Sequence, residues 1–144
     1  MIYTYAYPRP AVTVDIIVTR TLNNSSQILL IERKNEPFKY QWALPGGFVD
    51  IDEEIEDAAY RELTEETSIS DIKLHQYRTF GKPGRDPRGR TISIIYFGKL
   101  VNEKQKIEAG DDAKNLKWFS IDDLPELAFD HDQIIKSFLE QKEK

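Results

Sequence analysis

LPGGFVDIDEEIEDAAYRELTEETSI, residues 44–69, is the stretch whose reading decides the fold. The pair Gly46-Gly47 reads as a turn, an acidic run follows, and a helix is expected from about Glu54 to Ser68. Its apolar residues Ile55, Ala58, Ala59 and Leu63 recur at helical spacing, so at about 100° per residue they make one face. Glu62 and Glu66 point within roughly 40° of the centre of that face, and Glu65 sits on its edge. Glu56, Asp57 and Thr64 point away, as surface residues should. A carboxylate on a core-facing stripe is costly unless its charge is compensated. Carboxylates one turn apart also repel each other. A hard divalent cation bound through oxygens answers both problems.

Outward from this stretch, the 144 residues suit one domain, 1–144, with a proper core. No run approaches the 18 or so apolar residues of a membrane span, and the N-terminus lacks a signal pattern, so no membrane role is expected. With no cysteine, disulfides and thiolate metal sites are excluded, which is compatible with a cytoplasmic protein. The net charge of −5 is unevenly spread: residues 50–66 hold nine acids and one base, a local −8, leaving +3 elsewhere. An anionic partner cannot approach that acidic region without cations between.

Tyr3, Tyr5 and Tyr7 fall on one side of an extended segment that Pro8 and Pro10 interrupt. Residues 1–10 read either as an N-terminal edge strand or packed tail, or as an aromatic surface for a ligand ring or a second subunit. Ala11–Thr19 is a buried strand, Asn23–Ser26 a turn, and Gln27–Glu32 the paired strand. Arg33 and Lys34 lead into a loop with Pro37, Phe38, Tyr40 and Trp42, a mixture suited to a phosphorylated ligand with a ring or to a loop packing its own aromatics. Ala43–Val49 is a short strand containing the glycine turn. Strands are expected at Ile72–Phe80, Thr91–Leu100 and Leu116–Phe119, and a last helix at about His131–Lys142, with Asp130 and Gln133 at capping-box spacing. His75 and His131 are isolated and read as structural. Between the middle strands lies GKPGRDPRGR, residues 81–90, with four bases against one acid. It is either a solvated hairpin loop or, folded over the acidic helix, a phosphate clamp of Lys82, Arg85, Arg88 and Arg90.

Inward glutamates and a basic loop are reconciled by metal-assisted chemistry on a phosphate ester or anhydride. A calcium-binding surface helix is the alternative, disfavoured because the oxygen-rich loop spacing of an EF-hand is missing. A DNA- or RNA-binding role for the basic loop would have to overcome the negative helix and net charge, so no nucleic-acid partner is expected.

Gly47, Glu53 and Arg61-Glu62-Leu63-x-Glu65-Glu66-x-x-Ile69 resemble the Nudix box at every defining position but one. Ser68 stands where the pattern has a glycine, which would end the helix in the left-handed conformation. Serine makes that turn costlier but removes no ligand. KNEPFKYQWALPGGFVD, GRDPRGRTIS, AGDDAKNLKWF and LAFDHDQII extend the resemblance to the ADP-ribose pyrophosphatase-like branch, and to the Nudix halves of NAD-metabolism repressors, over nearly the whole chain.

The resemblance implies an α/β fold, the Nudix α/β/α sandwich, with a mixed β-sheet between helices. It implies Mg²⁺, with Mn²⁺ as a substitute, held by Glu62, Glu65, Glu66 and the carbonyl of Gly46. Arg61 would orient the glutamates and Glu53 would brace the loop. The reaction implied is hydrolysis of a nucleoside diphosphate linked to another group: ADP-ribose would give AMP and ribose 5-phosphate. For the general base two candidates stay open, Glu62 in the box and Asp112 (or Asp111) on the later loop. Arg33, Arg85, Arg88 and Arg90 are candidate diphosphate contacts, and Trp42 or the N-terminal tyrosines candidate partners for adenine. Such enzymes often form homodimers. The competing expectations are hydrolysis of a different nucleotide (NADH, a nucleotide sugar or a nucleoside triphosphate) and a nucleotide-sensing module that does not hydrolyse. The intact glutamates, and the two dozen residues after Asp122, too few for a winged helix, weigh against the sensor.

Overall fold

The structure, a computed structural model, describes residues 2–110 and 113–142. In chain order the elements are β1 (Ala11–Leu22), β2 (Ser25–Arg33), β3 (Trp42–Ala43), β4 (Gly46–Phe48), α1 (Ile55–Thr67), β5 (His75–Phe80), β6 (Thr91–Lys99), β7 (Ala113–Ser120) and α2 (His131–Lys142). The strands form one seven-stranded sheet in the order β3-β2-β1-β6-β5, with β4 on β1 and β7 on β2. β1 and β6 run parallel and the other pairs antiparallel, so the sheet is mixed as expected.

Alternation along β1 decides which helix covers which face. Val14, Ile16 and Val18 pack with Ala58, Ala59 and Leu63 of α1. Ile17 points the other way and packs with Ile28, Leu30, Ile95 and the α2 residues Ile134, Ile135 and Phe138. The sheet is therefore sandwiched between helices, in agreement with the expected architecture. No helix among the described residues is long and apolar enough to cross a membrane.

The sheet forks along β1. Its first half pairs with β4 through Thr13–Asp15, and its far end pairs with β2 through Thr19–Leu22. The β1–β2 turn has only two residues, Asn23 and Asn24, both at positive φ, the geometry that matches the twist of a hairpin and that asparagine tolerates.

Three expectations are corrected here. Residues 2–10 contain no strand: the prolines interrupt any ladder, and Tyr3, Tyr5 and Tyr7 are exposed, with Tyr3 and Tyr5 stacked and Arg9 lying 4.0 Å from the Tyr5 ring centre. Gly46-Gly47 is not a turn. Both glycines lie in β4, opposite Asp15 and Val14, and neither has positive φ. Their missing side chains make room instead, since a Cβ on Gly47 would sit 2.5 Å from the Glu62 carboxylate and one on Gly46 would collide with β1. The capping box at α2 is not formed, because the Asp130 carboxylate is taken by Arg85, and the Gln133 amide donates to the Asp130 carbonyl and the Asp132 carboxylate.

Candidate active site

At the fork of the sheet lies a cleft of about 430 Å³. α1 brings one wall. Its buried residues are Ala58, Ala59, Leu63 and Thr67; Glu62 and Glu66 are half-buried and line the cleft, and Glu65 is exposed. The directions read from helical periodicity hold residue by residue. The helix ends at Ser68 with φ 67°, the left-handed turn expected of the glycine that serine replaces. Beyond it, the amides of Glu108 and Gly110 donate to the carbonyls of Thr67 and Glu66, closing the last turn.

Arg61 is the organiser of this wall. Nε and Nη2 donate to both oxygens of Glu53 at 2.6 and 2.9 Å. Nη1 donates to Glu62 at 2.8 Å and to Glu65 at 3.2 Å, and Nη2 also reaches the Phe48 carbonyl. Glu53 in turn accepts from the Asp50 amide, bracing the loop before the helix. The Arg61 hydrogen bonds hold the Glu53 carboxyl down at about 2. Burial raises Glu62 above the usual carboxylate range, against the pull of Arg61. Glu65, tied to Arg61 and 58% exposed, is not brought into the cleft with Glu62 and Glu66.

The opposite wall is basic, but less so than the sequence suggests. Arg33 lines the cleft with its Nε donating to the Pro37 carbonyl. Arg88 lines it too, held by a two-point contact with the buried Asp86. Arg85 borders the cleft, yet its side chain is 5% exposed and its donors go inward, two to Asp130 at 2.7 and 2.9 Å and one to Ser93 at 2.7 Å. It is a strut joining residues 81–90 to the start of α2 rather than a phosphate contact, because a carboxylate of matching geometry stands within the fold. Arg90 turns to the Gly81 carbonyl and does not line the cleft. Trp42 is also withdrawn: it packs edge-on against Phe119 in the α2-side core. Asp112 and Asp111 lie outside the described residues.

Three groups at this site escaped the sequence reading. Asp15, an acid inside an otherwise apolar strand, is buried on the cleft floor, where burial raises its carboxyl to about 7. That charge in an apolar run was the available signal. His131 is buried beside it, accepts the Leu44 amide on Nδ1 at 3.0 Å, and is lowered by burial to about 4. The acceptor role fixes the neutral tautomer with its proton on Nε2, 4.0 Å from Asp15, so the pair is not an ion pair at neutral pH. Phe129, at φ 55°, lies between the basic side chains.

Among the described residues no three ligand-type groups already gather at metal distance. The donors nonetheless fit a hard cation. Two carboxylates on one wall, Glu62 and Glu66, suit an ion that completes its shell with water and substrate phosphate oxygens. β4 also approaches the Glu62 carboxylate closely, an approach that any side chain at Gly47 would block.

The NUDIX domain model matches residues 9–141, and the chain belongs to the NUDIX family, whose members generally use divalent metal ions. The ADP-ribose pyrophosphatase of Methanocaldococcus jannaschii is 44% identical over 136 residues, 94% of this chain and 77% of that protein. The NUDIX domain of Shewanella oneidensis NrtR complexed with ADP ribose superimposes with a TM-score of 0.87 at 31% identity, covering 94% of this chain and 90% of that one. A bifunctional NMN adenylyltransferase/ADP ribose pyrophosphatase from Francisella tularensis, complexed with AMP and a manganese ion, gives 0.79 at 37% identity, covering 95% of this chain and 43% of that one.

Proposed function

We propose that this protein is a cytoplasmic hydrolase of nucleoside diphosphates linked to a second group, with ADP-ribose as substrate and AMP and ribose 5-phosphate as products, the 144 residues working as one domain. The observation that carries the reading is a single cleft with Glu62 and Glu66 on one wall and Arg33 and Arg88 on the other. Glu62, Glu66 and the Gly46 carbonyl would hold Mg²⁺ or Mn²⁺, with Glu65 at the rim. When bound, the metal supplies neutralisation of phosphate oxygens and a more acidic water. Arg61 keeps Glu62 aimed into the cleft through its Glu53 anchor. Glu62, or Asp112 (or Asp111) on the later loop, would take the proton of the attacking water. Water adds its oxygen to one phosphorus, the anhydride oxygen leaves with the other phosphate, and the two protons of water end on base and product. Arg33 and Arg88 hold the charge of the departing phosphate. A second copy of the chain is the proposed partner of the exposed segment Tyr3–Tyr7, to be read by sedimentation.

The test is release of phosphomonoester from ADP-ribose, other dinucleotides and nucleotide sugars in Mg²⁺, with a chelator control. ADP-ribose should turn over fastest, and chelation should stop it. The ADP-ribose-bound NrtR domain favours a second reading, a sensor. Tight binding of ADP-ribose with no turnover would establish that reading and remove the first.

A further inference from the structure

Phe129 precedes α2 by one residue beyond Asp130 and has a left-handed backbone, φ 55°. A bulky side chain is a genuine outlier there. Such strain persists only where the surroundings over-determine it, as in ligand clamps. The surroundings are specific. The guanidinium carbons of Arg33 and Arg88 each stand 4.9 Å from the centre of the Phe129 ring, within cation–π range. Arg88 is also 4.8 Å from Phe48. Phe38, itself left-handed at φ 61°, meets Phe129 edge-on at 4.8 Å.

Two guanidiniums on one ring repel, and burial, then the charge of Arg88, disfavours protonated Arg33. Asp86 neutralises Arg88, whereas the Arg33 guanidinium donates its Nε to the Pro37 carbonyl, a neutral acceptor. The electron-rich ring they share offsets the repulsion and fixes their separation. Each arginine keeps terminal N–H groups that these bonds do not use: Nη1 and Nη2 of Arg33, and Nη1 of Arg88. Both side chains line the cleft opposite Glu62 and Glu66. We infer that Phe129 is a positioning residue, whose ring holds Arg33 and Arg88 as a two-pronged receptor for the phosphate farther from the carboxylate wall. The inference rests on the proposed diphosphate chemistry of this cleft and adds what sets its anion geometry.

The experiment compares wild type with Phe129→Gly, Phe129→Leu and Phe129→Tyr in Mg²⁺, by ADP-ribose kinetics and by calorimetric binding of inorganic pyrophosphate. Leucine keeps bulk without the ring, tyrosine keeps the ring, and glycine relieves the backbone. Phe129→Gly and Phe129→Leu should raise KM, and the pyrophosphate Kd, by about tenfold or more, with kcat within about threefold. Phe129→Tyr should stay within about threefold of wild type on both. Phe129→Gly should melt higher than Phe129→Leu yet bind no better, which a purely structural role would not produce. Added to Arg88→Ala, Phe129→Gly should raise the pyrophosphate Kd by less than about threefold further. Wild-type pyrophosphate affinity in Phe129→Gly and Phe129→Leu, full additivity with Arg88→Ala, or no pyrophosphate binding by wild type would each overturn the clamp. A wild type that binds pyrophosphate in a Phe129-dependent way but leaves ADP-ribose intact would overturn the hydrolase reading and uphold the clamp.

Discussion

The acidic face of α1 and the basic loop 81–90 carry opposite charge, and they differ more in how that charge is spent within the fold. On the helix side one guanidinium, Arg61, serves Glu53, Glu62 and Glu65 and lies 3.8 Å from Asp50. In the loop each arginine has its own acceptor: Arg85 has Asp130, Arg88 has Asp86, and Arg90 has the Gly81 carbonyl. The acidic wall therefore shares one cation among several carboxylates, whereas two of the three loop arginines have a carboxylate each. Arg85 and Arg88 are thus held in place by carboxylates of the fold, and of the two only Arg88 keeps its charge at the cleft rather than turned inward.

The sharpest way to break this contrast is to remove acid. Glu66→Gln should lower kcat/KM by about a thousandfold, the scale of several kcal/mol of metal-borne charge stabilisation. Wild-type turnover by that variant in saturating Mg²⁺ would refute its role as a ligand. Next comes a matched pair of conservative changes. Arg61→Lys cannot reproduce the fork that reaches Glu53 and Glu62 together, and should cost about 10- to 100-fold in kcat/KM with little change in melting. Arg85→Lys, in a nearly buried pair with Asp130, should instead cost about 2–4 kcal/mol of stability, measured by denaturant titration. If Arg85→Lys melts like wild type, the strut assignment fails.

Two smaller effects probe the ends of the two regions. His131 sits at the head of α2, next to the anchor of the basic loop. Its folded pKa of about 4 lies below the ordinary 6.5, so between those values the unfolded chain binds more protons and stability must fall as pH falls. Asp15, raised by burial, contributes with the opposite sign, so the contrast with a His131→Gln variant is what isolates the histidine. The stability of wild type relative to that variant should drop by about 2–3 kcal/mol between pH 7 and pH 4; a flat difference would contradict the buried neutral imidazole. At the far end of α1, Ser68→Gly should raise stability by about 0.5–1 kcal/mol and leave kcat unchanged, since only the left-handed backbone is relieved.

These same residues mark how far the sequence could be read. Helical periodicity is local, so the inward Glu62 and Glu66 followed from residues 44–69, whereas Glu65, read on the edge of that face, is exposed and tied to Arg61. The partners of the basic loop are not local. Asp130 meets Arg85 across 45 positions, and nothing near Arg85 announces it. Gly46-Gly47 was misread because glycine pairs usually mark turns, whereas here the space beside Glu62 and Asp15 is what excludes a side chain. Trp42 looked like a ligand platform because its loop is basic; its place in the core was set by Phe119 on a distant strand. Phe129 carried no local signal, since its conformation depends on two arginines and Phe38 from other segments.

The fork in the sheet has a consequence for how the chain acquires its chemistry. The cleft floor is built where β1 runs parallel to β6, and there the hydroxyls of Thr13 and Ser93 meet across 80 residues of sequence. Such a pairing must pay for closing a long loop before its contacts form. α1 can find its helical conformation from neighbours in sequence. The carboxylate wall thus rests on contacts local in sequence, and the floor it faces on a pairing that only the distant β6 can complete.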